Sequence, residues 1–149
     1  MILHQMQMSG NCYKIRLAAR QLGIEMALKD YPELGSETRK PGFLAKNPNG
    51  RVPLLELDDG RCLPESGAIL YYLTEGTDLQ STDKWARGEM LQWMFFEQYS
   101  HEPYIAVARF WLAYKPKEEL EKKRHLVPEW HTKGNAALGV MENHLKSHD

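Results

Sequence analysis

Residues Asn47–Ser66 read NPNGRVPLLELDDGRCLPES, and the order of turns and apolar runs in this stretch decides the fold. A Pro-Asn-Gly turn opens onto a short apolar run, Val52, Leu54, Leu55 and Leu57, and Asp58-Asp59-Gly60 separates it from a second short strand. An Asp-Gly pair between two strand-like runs is a strong local signal for a β-hairpin. Pro53 cannot donate to a sheet ladder and so belongs at an edge or a strand start. A cis Val52-Pro53 peptide would turn the backbone sharply and leave the Val52 amide and carbonyl open to an extended ligand. Cis bonds occupy only about 5–6% of X-Pro sites in general, so composition alone does not choose between cis and trans. Pro64-Glu65-Ser66 then leads into a helical pattern.

Upstream, Ile2–Met8 reads as a strand, followed by the break Ser9-Gly10-Asn11 and a helix with Ile15, Ala18, Ala19 and Leu22 on one face. Gly23 stands where a helix C-cap belongs. Glu25–Tyr31 reads as a second strand, which gives βαβ and a parallel pair joined by a helical crossover. Leu34–Lys46 is irregular, with a short helix near Phe43 and Leu44. After the hairpin, a helix is expected to bury Ala68, Ile69, Tyr72 and Leu73 and to stop at Gly76. Thr77–Ser81 is a polar linker. From Thr82, with Thr82-Asp83 as cap, a long helix carries an aromatic-rich face through Phe110 and should kink near Tyr99 or Ser100 because of Pro103. Lys115-Pro116 breaks it, and Glu118–Lys146 is expected as a second long helix kinked at Pro128.

The chain has 149 residues, 42% hydrophobic and 26% charged, which is the composition of an ordinary soluble globular protein. A formal net charge of −1 without a basic stripe argues against nucleic acid as a partner. The longest apolar runs fall far short of the ~20 residues that span a bilayer, so no membrane is implied. MILHQMQM has neither a positive region nor a cleavage site, so it is not a signal peptide. Cys12 and Cys62 form no disulfide framework and no zinc pattern, and free thiols in a cytoplasmic setting are expected. The six histidines show no metal-ligand spacing.

From the residues alone, Ser9-Gly10-Asn11-Cys12 lies at a strand-to-helix junction, where free amides and the helix dipole favour an anion. A hydroxyl there could donate to a thiolate and lower its pKa. A plain N-cap role explains the same serine. Glu65-Ser66 opens a helix whose free amides suit a carboxylate, and acidic residues and serine also favour helix starts for structural reasons. Trp93, Phe96, Tyr104 and Trp111 fit either a pocket or helix-packing core.

Asn-Pro, Val-Pro, an acidic turn and Glu-Ser heading a helix, in this order and spacing, resemble the glutathione-binding half of a glutathione transferase. The match runs from Met1 to about Gly76 and continues more loosely beyond. The resemblance implies an α/β thioredoxin-like domain over 1–76, a linker over 77–81 and an all-α helical domain over 82–149, here only two long helices. Family members usually reach about 200 residues or more, so the chain resembles either a fragment or a short variant.

The resemblance also assigns roles. Ser9 takes the position of the thiolate-stabilising serine, Asn11 adds a second polar contact, and Cys12 is the competing candidate, since some bacterial relatives use a cysteine in this loop. Glutathione, a co-substrate, is expected along Val52 and Pro53, with Glu65 and Ser66 at its γ-glutamyl end. Lys40 and Arg51 are candidates for its glycine carboxylate. Trp93, Phe96 and Tyr104 would line the place of an apolar electrophile, with no metal needed. The implied activity is detoxifying conjugation of glutathione to a small electrophile by a cytoplasmic homodimer. Its rivals are a thiol-disulfide or deglutathionylating enzyme using Cys12, and a non-catalytic module that keeps the fold for binding.

Overall fold

The computed structural model describes residues 1–32 and 35–148. Leu34, the expected start of the irregular segment, lies outside them. The chain divides into two units, Met1–Arg87 and a second beginning at Gly88.

The first unit holds β1 (Ile2–Gln5), α1 (Gly10–Gln21), β2 (Ala27–Asp30), α2 (Pro41–Leu44), β3 (Leu54–Glu56), β4 (Cys62–Pro64) and α3 (Ser66–Thr74). The strands form one sheet in the order β2-β1-β3-β4. β1 is parallel to β2, as a helical crossover requires, and antiparallel to β3, while β3 and β4 form the hairpin. Asp59-Gly60 makes its turn, with Gly60 at φ +84°. β1 stops at Gln5 instead of running to Met8, because the chain leaves the ladder and turns through a Ser9 N–H bond to the Met6 carbonyl at 3.0 Å. α1 ends as its sequence indicates: Gly23, at φ +67°, lets its own N–H and that of Ile24 return to the Arg20 and Ala19 carbonyls.

Side chains alternate across the sheet, so each face has its own core. Leu3 and Leu55 pair in register and pack with Ile15 of α1 and with Ile69 and Leu73 of α3. His4 and Leu54 pair on the other face, where Tyr31 and Phe43 close over Leu54. The buried stripe of α3 is Ser66, Ile69, Leu73 and Thr74. Ala68 and Tyr72, expected to be buried, are exposed. Ile69 and Leu73 are buried as expected, but the i, i+3, i+7 stripe they belong to starts from the helix's first residue, a serine, which an apolar count misses.

The second unit and its approach are helical: α4 (Lys84–Phe96), a π-helical segment (Glu97–Ala106), α5 (Val107–Tyr114), α6 (Lys117–Glu121), a 3₁₀ turn (Arg124–Leu126) and α7 (Val127–Leu145). Asp83 caps α4 by accepting from the Ala86 N–H at 2.9 Å. Around Pro103, where a kink near Tyr99 or Ser100 is expected, the helix widens into the π segment Glu97–Ala106. The wider π turn carries the residue that lacks an N–H, and helical structure continues into α5. The second long helix is divided, and Pro128 sits in the first turn of α7, where its missing N–H costs nothing. Trp130, Gly134 and Ala137 form the buried stripe of α7. At Gly134 the helix comes so close to the π segment that an added Cβ would stand 2.7 Å from Ile105 Cδ1.

Candidate functional site

In the first unit, the starts of α1 and α3 meet. The Ser66 hydroxyl donates to Asn11 Oδ1 at 3.3 Å, joining two residues 55 positions apart. Sequence reasoning placed both residues in the site for different reasons, and the structure puts them in one hydrogen bond. Ser66 is buried, so its hydroxyl faces inward to Asn11, while the first amides of α3 remain at the helix terminus, available to an anion.

Glu65, immediately before α3, has φ +71° and ψ 116°, the only non-glycine residue among those described with positive φ. A side-chain-bearing residue there is strained by about 1–3 kcal/mol, and such strain persists where the surroundings over-determine it, often at ligand sites. Its carboxylate makes no capping bond and the residue is exposed, so it stays presented at the helix start. Nothing in Pro-Glu-Ser announces this backbone. Val52-Pro53 is cis. Val52 precedes β3 and stands outside its ladder.

Ser9 is the N-cap of α1: its Oγ accepts from the Cys12 N–H at 3.3 Å. The structural role weighed for it is therefore present. Cys12 is fully buried, and its Sγ accepts from the Met6 N–H at 3.4 Å. Burial pushes the thiol pKa up, with the Ser9 hydroxyl and the Met6 amide pulling back less strongly. A buried thiol held protonated is a poor nucleophile.

Lys40 and Arg51 are both exposed at the ends of the α2 region. Lys40 precedes α2 without a side-chain capping bond. The Arg51 carbonyl accepts from Asn47 Nδ2 at 2.8 Å, so this residue's backbone is part of the loop's own bracing. Gly50, φ +62°, lies against the Thr38 carbonyl and the Arg39 guanidinium, each 2.9 Å from where a Cβ would stand. A side chain there would press on backbone at a positive φ, which accounts for the glycine.

Trp93 and Phe96 meet edge to face at 5.3 Å between ring centres, and Trp93 also meets His144 at 4.7 Å. The Lys133 ammonium lies 5.1 Å from the centre of the Tyr104 ring. All three aromatic residues are half-buried in helix packing.

Sequence reasoning missed a polar chain on the α2 face of the sheet. His4, 2% exposed, has Nδ1 2.8 Å from the Tyr31 hydroxyl and Nε2 2.7 Å from Glu56 Oε2, and the same carboxylate oxygen accepts from Lys46 Nζ. Desolvation lowers the His4 pKa, opposed by Glu56, while Lys46 first and His4 second lower that of Glu56. The available signal was a titratable side chain, His4, directly after Leu3 in the first strand, at a position that alternates onto the other face of the sheet. Among the described residues, no group of three or more His, Cys, Asp or Glu is placed to hold a metal ion, and no helix is long and apolar enough to cross a membrane.

Residues 3–80 match the family model for the glutathione S-transferase N-terminal domain. A crystal structure of a glutathione S-transferase from Pseudomonas fluorescens Pf-5 is 47% identical with TM-score 0.92, over 98% of this chain and 72% of that one. Ure2p in complex with glutathione is 26% identical with TM-score 0.79, over 95% of this chain and 66% of that one. Elongation factor 1-gamma of Rattus norvegicus is 29% identical over 144 residues, 91% of this chain; the chain spans 30% of that protein's length.

Proposed function

Since the chain belongs to the glutathione S-transferase family, we propose that it conjugates glutathione to a small electrophile, with the thiolate stabilised by Ser9. The observation that carries this is the Asn11–Ser66 hydrogen bond at 3.3 Å, which joins the starts of α1 and α3 beside a Glu65 held at φ +71°. Two helix termini and a presented carboxylate suit a ligand that has both an anionic and an ammonium end, as the γ-glutamyl group of glutathione does. The likeness to Ure2p in complex with glutathione supports the same ligand.

In this proposal Glu65 accepts from the γ-glutamyl ammonium, the first amides of α3 hold its carboxylate, and Val52 pairs with the extended backbone. Lys40 and Arg51 offer cations to the glycine carboxylate. The glutathione thiol loses its proton to solvent, and Ser9 donates to the resulting thiolate while the cap of α1 is retained, because a hydroxyl both accepts and donates. The sulfur lone pair forms a bond to the electrophilic carbon, and the leaving group departs with the electrons of the broken bond. The protein contributes positioning and stabilisation of negative charge. Trp93, Phe96 and Tyr104 are the proposed apolar surface for the electrophile. We place the protein in the cytoplasm as a homodimer, with 1–76 binding glutathione, 77–81 as linker and 82–149 as helical domain.

Burial and the raised pKa of Cys12 favour Ser9 over a Cys12-based thiol-disulfide mechanism. A second reading, a non-catalytic binding module, is favoured by the likeness to elongation factor 1-gamma. Calorimetric titration with glutathione tests the proposal: heat of binding at micromolar to millimolar concentration is expected, and silence at millimolar concentration leaves the binding-module reading.

A further inference from the structure

We propose that His4, Tyr31, Glu56 and Lys46 form a latch that holds the Asn47–Val52 loop in the setting that glutathione recognition requires, with His4 and Glu56 as positioning residues. This rests on the glutathione reading given above. The path is short and covalent at its last step. Lys46 is tied to Glu56 of β3, and Asn47 follows it directly. The N–H groups of Lys46 and Asn47 both return to the Phe43 carbonyl at 2.9 Å, so the end of α2 and the start of the loop move together. Asn47 then builds the loop: its Nδ2 donates to the Arg51 carbonyl at 2.8 Å, its Oδ1 accepts from the Asn49 N–H at 3.1 Å, and its carbonyl accepts from the Gly50 N–H at 2.9 Å. Val52 directly follows Arg51.

At the other end the latch is anchored in the sheet. Phe43 of α2 packs edge-on against both Tyr31, at 5.2 Å, and His4, at 5.9 Å. With Nε2 facing the Glu56 carboxylate, that nitrogen carries the imidazole proton, and Nδ1 accepts from the Tyr31 hydroxyl. Apolar residues in these positions would hold a sheet and a helix together equally well. A chain of directional bonds instead fixes one placement, since any other leaves buried polar groups unpaired. The charged and titratable groups facing His4 are Glu56 from β3, Tyr31 and Lys29 from the β2 side, and Lys46 from the end of α2; Cys62 on β4 faces Glu56 and Lys46. A second proton on His4 would turn Nδ1 from acceptor to donor, so that the Tyr31 hydroxyl has to reorient, and would set a second cation beside the ammonium of Lys46.

Two variants test the latch in the full chain. Lys46→Met cuts the tie at a partly exposed side chain and opens no cavity. Amide exchange of Asn47, Asn49, Gly50 and Val52 in the ligand-free protein is expected to quicken about fivefold or more. KM for glutathione should rise about fivefold to tenfold with kcat little changed. His4→Gln offers Glu56 an amide donor that does not titrate. Its affinity for S-methylglutathione, a probe without a thiol proton, should match the parent at pH 7.5 and lack the parent's weakening towards pH 5.5. Unchanged exchange in Lys46→Met, or the same pH dependence in His4→Gln as in the parent, overturns the latch. A parent that binds no glutathione overturns the functional proposal instead, and the exchange comparison alone then decides the latch.

Discussion

At Ser9 two duties share one hydroxyl, and a single alanine substitution confounds them. Ser9→Ala removes the cap of α1, which costs about 1 kcal/mol of stability, and also removes the proposed donor to the thiolate. Bonds to a charged acceptor contribute about 1.5–3 kcal/mol, so conjugation should fall roughly tenfold to a hundredfold. Ser9→Asp separates the two: aspartate caps well but cannot donate to an anion, so the melting temperature should stay near the parent's while turnover collapses. Near-normal turnover in both variants would remove Ser9 from the chemistry. Cys12→Ala should leave conjugation largely intact, and iodoacetamide should label Cys62, which is only half-buried, well before Cys12. Gly50→Ala forces a Cβ against the Thr38 carbonyl at 2.9 Å in a backbone of φ +62°, so destabilisation of about 2 kcal/mol or more by urea titration is expected. That Ser9 and Ser66 stand at helix starts was legible, because polar residues there announce themselves; that Asn11 and Ser66 share a hydrogen bond was not. The φ of Glu65 was not, since it arises from what surrounds the residue and leaves no mark on its own side chain.

Elements were legible where local chemistry is unambiguous. Asp59-Gly60 specified the hairpin, Gly23 the end of α1 and Asp83 the start of α4, each through a bond that the sequence position alone implies. Proline was harder to interpret. Pro103 demands that one N–H be missing, and a kink or a π turn satisfies that equally; the close approach of α7 is a long-range fact that the local sequence does not contain. The stripe of α3 was legible at Ile69 and Leu73 and missed at Ser66 and Thr74, because buried hydroxyl residues counted as polar. The crossing of α7 with the π segment can be tested directly. Gly134→Leu should destabilise the fold by about 1–3 kcal/mol through overpacking against Ile105. Ile105→Ala makes room, so the double variant should recover part of the loss. A coupling of about 1 kcal/mol or more in the double-mutant cycle is expected, and strict additivity would mean that the two helices separate when crowded.

For the whole molecule, association and acid sensitivity follow from what is left exposed and what is buried charged. Trp85, Phe95 and Tyr99 are 76%, 68% and 84% exposed along α4 and the π segment, more apolar surface than a solvated helix normally shows. Light scattering is expected to give twice 17.3 kDa, and a 17.3 kDa species at micromolar concentration would refute the dimer. Acid should act on the fold in two stages. Burial holds the His4 pKa below its ordinary 6.5, so the folded protein binds fewer protons than the unfolded chain as pH falls through that value, and stability drops with it. The Glu56 pKa is also lowered, by Lys46 and His4, from 4.5. Its contribution is therefore present above 4.5 and is lost as pH falls below that, through its folded value. Urea midpoints measured from pH 7.5 to 3.5 should show a first decline around and below pH 6.5, which His4→Gln removes, and a second below pH 4.5, which Lys46→Met reduces. A His4→Gln profile that superimposes on the parent's between pH 7.5 and 5.5 would mean that the buried imidazole takes its second proton as readily in the folded chain as in the unfolded one.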